Sequence, residues 1–187
     1  MKRRSAMLVS FLLLSMPSRL FAKAETSKIT IEGASLKAPI EITDRKVLQD
    51  FRVWSGPLTT GNERQSLIVD WSQGVIPEPT KELRRYKISF YARLASPQEQ
   101  LVYVVLYAYD PVKRQGYVYL PGRGDEWHDL NVGSILHGVE GNWFHAWRLW
   151  DRVAEALLPD ARLASSASVV FLGQPPLDKE QRLRHKD

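Results

Sequence analysis

Residues 86–120 read YKISFYARLASPQEQLVYVVLYAYDPVKRQGYVYL, and their periodicity points to an antiparallel sheet. Ile88, Phe90 and Ala92 alternate with Lys87, Ser89, Tyr91 and Arg93, a period of two that puts the apolar side chains on one side of a strand. Leu101 to Tyr109 is a run rich in Val and Tyr, residues that fit a pleated surface. Asp110-Pro111 opens a turn, Gly116 closes it and Tyr117 to Leu120 returns, which predicts a hairpin ended by Pro121-Gly122.

Toward the N-terminus, Ile29 to Gly33 and Pro39 to Thr43 alternate as short strands, the second with Pro at the permitted strand start. Asp44 is placed to cap a short helix over 44–52 with Val47, Leu48 and Phe51 as its apolar stripe. Gly56-Pro57 stops it, 57–66 reads as a loop, Leu67 to Trp71 as a strand, and Gly74 to Thr80 as a stiff connection. Toward the C-terminus, 122–141 reads as a charged loop with one helical turn near Val132 to Leu136. A helix is predicted over Trp143 to Leu158, capped by Asn142 and stopped by Pro159. At about 100° per residue, Trp143, Trp147, Trp150, Ala154, Leu157 and Leu158 share one face and His145, Arg148, Arg152 and Glu155 the other. A further edge strand is expected at Ser168 to Leu172. The expected architecture is α+β: a mainly antiparallel sheet of about five to six strands with a C-terminal amphipathic helix packed on one face. Helices do not alternate with the strands, which argues against a Rossmann-like nucleotide binder.

The 187 residues are 44% apolar and 25% charged, the composition of a globular chain. No cysteine is present, so disulfides, thiol nucleophiles and thiolate metal sites are excluded. The formal charge of +5 does not indicate a nucleic-acid or membrane binder. Residues 1–24 hold five of the 26 basic residues and no acid, and the rest balances at 21 against 21. That first segment has a basic start, Lys2-Arg3-Arg4, an apolar stretch to Met16 and an Ala22-Lys23-Ala24 ending, the pattern of a secretory signal peptide. The expected organisation is therefore a signal at 1–24, one α+β domain at 25–160 and a low-order extension at 161–187. The mature protein is expected to be exported, periplasmic or extracellular, with no membrane attachment after cleavage.

Three places invite a functional reading. The hairpin alternation puts Tyr103, Tyr107, Tyr109, Tyr117 and Tyr119 on one face, opposite Val102, Val104, Leu106, Ala108, Val118 and Leu120. With Tyr91 and Arg93 alongside, this is a tyrosine surface edged with charge, suited to a sugar, a peptide or another protein. The competing account is that these tyrosines stabilise the sheet or lie beneath the helix. Trp127, on a charged loop, is a further ligand-binding candidate, whereas Trp143, Trp147 and Trp150 at helical spacing read as core.

The second place is the segment 125–145, where Asp125, Glu126, His128 and Glu140 are candidates for acid–base catalysis and His128, His137 and Glu140 for a metal. The histidine spacing matches no standard ligand pattern, and nothing places a second carboxylate opposite the first. No cofactor is expected. The third, Pro121-Gly122-Arg123-Gly124, lacks the ending and the following helix of a phosphate loop and reads as a tight turn.

Tyr117 to Trp127 (YVYLPGRGDEW) and Gly138 to Trp147 (GVEGNWFHAW) resemble segments of a family of small exported bacterial proteins. The resemblance runs from about Ile29 to Pro159 and implies export from a bacterium. It carries over no activity, ligand or catalytic residue. The leading expectation is an exported, non-catalytic binding or assembly module using the tyrosine face and the loop 121–141. Its ligand would be a protein, a peptide or a carbohydrate. The alternative is a small hydrolase, with or without metal assistance, built on the carboxylates and histidines of 125–145.

Overall fold

The computed structural model describes residues 25–33, 36–59, 66–94 and 97–158. The expected signal segment, the strand at 168–172 and the C-terminal extension lie outside these residues. Seven strands form one antiparallel sheet: β1 (Thr26–Gly33), β2 (Ile40–Ile42), β3 (Val75–Ile76), β4 (Arg85–Ala92), β5 (Gln100–Asp110), β6 (Gln115–Tyr119) and β7 (Trp143–His145). Their spatial order is β2-β1-β4-β5-β6-β7-β3. Among the described residues three α-helices accompany them: α1 (Arg45–Leu48), α2 (His128–Ser134) and α3 (Arg148–Leu157). The architecture is α+β with a larger sheet than the sequence suggested, because two three-residue-or-shorter strands, β3 and β7, extend it beyond the hairpin.

The alternation of β4 places Ile88 and Phe90 opposite Ile31 and Ile29 on one side and opposite Val105 and Tyr103 on the other. This inner face is the core. Trp150 and Ala154 of α3, Phe51 and the segment 67–69 cover it, all nearly or wholly buried. The ring of Phe51 meets Trp150 edge-on at 5.2 Å, and Trp150 meets Tyr107 edge-on at 6.1 Å. Asp44 caps α1 as expected, its side chain accepting the Lys46 N–H, and the helix is only four residues long.

Three expectations are corrected. Leu67 to Trp71 is not a strand: Ile68 takes φ 77°, a left-handed conformation that breaks extended pairing, and its carbonyl accepts the Trp147 N–H at 2.7 Å. The helical turn near 132–136 is the two-turn α2, which begins earlier. The Trp143–Leu158 helix is two elements. Trp143 and His145 pair with Tyr119 and Tyr117 as β7, Trp147 is the N-cap, and the helix runs only from Arg148. Without β7 the free edge of β6 would present unpaired N–H and C=O groups, a cost that outweighs the local helical spacing.

Candidate functional site

Facing residues in an antiparallel pair share a face, so the registers settle where each tyrosine lies. Tyr107 faces Val118, whereas Ala108 faces Tyr117 and Leu106 faces Tyr119. The five hairpin tyrosines therefore do not form one surface. Tyr103, Tyr107 and Tyr109 lie on the inner face and are buried, while Tyr117 and Tyr119 lie on the outer face, Tyr117 buried there with Ala108 and Trp143 and Tyr119 half-buried. Period-two alternation alone gives both hairpin strands the same parity. The turn at 111–114 instead sets the register one residue away from it. Tyr91 is also on the outer face, half-buried, with the Lys28 ammonium 4.5 Å from its ring centroid.

On the outer face the registers align one row across five strands: Lys87, Leu106, Tyr119, Trp143 and Ile76. A second row carries Arg85, Ala108, Tyr117 and His145. Tyr119 and Trp143 have ring centroids 5.2 Å apart, and the Arg85 guanidinium lies 5.2 Å from the centroid of Trp143. Arg85 is fixed there by Glu78 at 2.7 Å, beside the Pro77 and Pro79 that stiffen the strand exit. Above this row is an open cleft of about 550 Å³, with Leu106, Tyr119, Trp143 and Ile76 as floor and Glu78, Arg85, Asp125 and Asn142 as rim.

The rim is positioned by backbone that only glycine allows. A side chain on Gly122 would place its Cβ 2.5 Å from Gly141 Cα, so the loop after β6 can approach the loop before β7 this closely only with glycine at 122, while Gly141 takes φ 85°, a conformation that favours glycine. That contact brings Asp125 back over the sheet, where one carboxylate oxygen accepts both the Tyr119 hydroxyl and the Gly122 N–H at 2.7 Å. Burial and this hydrogen bond to Asp125 raise the Tyr119 phenol, so it stays a donor at neutral pH. Trp127 stands beside the cleft with the Lys87 ammonium 5.2 Å from its ring centroid.

Asp125, His128 and Glu140 of the hydrolase reading each hold a different partner. Glu126 is exposed, His128 Nδ1 contacts its neighbour Asp129 at 3.0 Å, and Glu140 accepts the His137 backbone N–H at 2.6 Å. His137 is wholly buried, its ring against Trp71 and Tyr103 and its Nδ1 3.3 Å from the Pro57 carbonyl. Burial holds its pKa below the usual histidine value, so it is a neutral prop for the 53–57 segment. Among the described residues no three His, Asp or Glu side chains converge as metal ligands, so His128, His137 and Glu140 form no such set.

Two polar groups that the sequence reading passed over matter more to the architecture. Asn131 of α2 is buried, and its amide accepts the Val104 N–H at 2.8 Å and donates to the Val104 carbonyl at 2.7 Å. It replaces the strand that β5 lacks where β6 has ended. Asp151 of α3 is buried and accepts the Tyr107 hydroxyl at 3.0 Å and the Gly116 N–H at 3.2 Å. Burial pushes its carboxyl up to about 6 against the opposing pull of these donors and of Arg148. Its position next to Trp150 and three before Ala154 was the available signal. Comparison with protein-family models, curated proteins and solved structures finds no match to this chain.

Proposed function

We propose that this chain is an exported, non-catalytic binding module whose ligand seats in the outer-face cleft over Tyr119 and Trp143. The observation that supports this best is the transverse row Leu106, Tyr119, Trp143 and Ile76 lying under an open, charge-rimmed cleft. Trp143 itself is nearly buried, so the accessible part of the floor is the half-buried Tyr119 with the guanidinium of Arg85. Such a floor takes a small flat group, and the rim offers carboxylate acceptors, an amide and a guanidinium to its polar edges. A peptide, a protein loop or a carbohydrate supplies that combination. Tyr91 and Trp127, each beneath a lysine ammonium, lie on the same outer face and widen the contact area. Tyr103, Tyr107 and Tyr109 belong to the core in this reading.

The six tryptophans provide the test, because each indole N–H gives its own resonance in a nitrogen–proton correlation spectrum. Titration with mixtures of short peptides and soluble oligosaccharides should move the Trp143 and Trp127 indoles and leave Trp150 in place. Arg85→Ala should then remove the response. A ligand that moves Trp150 first, or one bound equally well by Arg85→Ala, would place the site elsewhere.

A further inference from the structure

A second concavity, remote in sequence from the cleft residues, lies where β1 begins, beside α1 and the end of β4. Its volume is about 910 Å³. Arg45 and Lys46 of α1, Arg52 just beyond it and Arg93 just beyond β4 line it, against one acid, Glu25. Arg93 lies 3.3 Å from Glu99, which also takes Lys28 at 3.5 Å. Arg45, Lys46 and Arg52 have no ion-pair partner among the described residues, while Asp44 spends its carboxylate on the Lys46 N–H. The four cations outnumber the one acid that lines the groove, and the excess positive charge attracts a ligand of opposite sign.

We propose that this groove is a second binding site and that it takes an anionic oligosaccharide. The chemistry selects among polyanions. Leu48 and Phe51 form the floor but are only 4% and 1% exposed, so no open aromatic ring is offered for nucleic-acid bases to stack on. The Thr43 hydroxyl stands among the cations, and Ser27, whose hydroxyl donates to the Tyr91 carbonyl, keeps acceptor capacity there; both suit a hydroxyl-bearing ligand. A bilayer of anionic headgroups meets a flat or convex basic face, whereas here the charges line a hollow.

Calorimetric titration of the full chain with a size-defined sulfated heparin hexasaccharide tests the site. Binding should weaken as salt rises, and the pair Arg45→Ala/Lys46→Ala should lose at least about tenfold in affinity with its melting temperature unchanged, since both residues are exposed. If that pair unfolds, the single reversal Lys46→Glu should show the same loss. Lys37→Ala/Lys81→Ala removes two exposed charges elsewhere and should leave affinity within about twofold. Equal loss from both pairs, absence of binding by the unaltered chain, or equal binding of neutral dextran would overturn the proposal. So would tighter binding of polyglutamate or of phosphatidylglycerol vesicles.

Discussion

Asp151 and Asn131 are single polar side chains on which the packing of whole helices depends. The carboxyl of Asp151 is raised to about 6 in the fold against 3.8 for the free group, and burial is the cause. A raised folded value favours the protonated form, so this group's contribution is fully present below about pH 4 and lost as pH rises through about 6. The shift of roughly two units corresponds to about 3 kcal/mol. Asp151→Asn keeps an acceptor for Gly116 and a partner for Tyr107 but does not titrate. Urea unfolding of both proteins at several pH values should show the variant gaining on the unaltered chain by about 2.4 kcal/mol between pH 4 and 7. A difference independent of pH would mean that Asp151 is solvated. Asn131→Ala strands the N–H and the carbonyl of Val104 and should cost about 2–4 kcal/mol. Asn131→Asp should be no milder, because it sets an oxygen against the Val104 carbonyl. An aspartate variant as stable as the parent would show that the amide is not bonded both ways.

At the scale of elements, α3 docks through Trp150 and through the contact of Asp151 with Gly116. Trp150→Ala should cost about 3–5 kcal/mol, since the ring is fully buried against Phe51 and Tyr107. Trp147→Ala should cost clearly less, because that residue is the partly exposed N-cap. Equal losses would restore the continuous helix that the sequence suggests. Elements defined by their own alternation or run of strand formers, namely β1, β2, β4, β5 and β6, were legible in the sequence. Those that exist through a neighbour were not. Trp143, Phe144 and His145 fit a helical stripe locally and become β7 only because β6 has an edge to pair. Val75-Ile76 is too short to carry a pattern, and Ile68 is turned out of the extended region by contacts from residues 145–147. The candidate site was legible in part for the same reason. Tyr119, Trp127 and Asp125 were visible as residues, but the company they keep depends on a hairpin register that alternation alone leaves undetermined.

For the molecule as a whole, that register divides the tyrosines between structure and surface. Tyr107 and Tyr119 lie within the same hairpin, yet one is packed under α3 and the other looks into the cleft. Tyr107→Phe removes the hydroxyl donated to Asp151 and should lower stability by about 1–3 kcal/mol. It should leave the Trp143 indole response to a cleft ligand unchanged. Tyr119→Ala should do the reverse. It deletes the accessible ring of the cleft floor, frees Asp125 from one of its two donors and removes the ring contact with Trp143, while the inner-face core beneath α3 keeps its contacts. Its effect should therefore appear as lost ligand response with a small change in melting temperature. The two substitutions thus test the face assignment independently of what the ligand is. If Tyr107→Phe weakened binding as much as Tyr119→Ala, both faces of the sheet would serve one site. The proposal of a cleft confined to the outer face would then have to be abandoned.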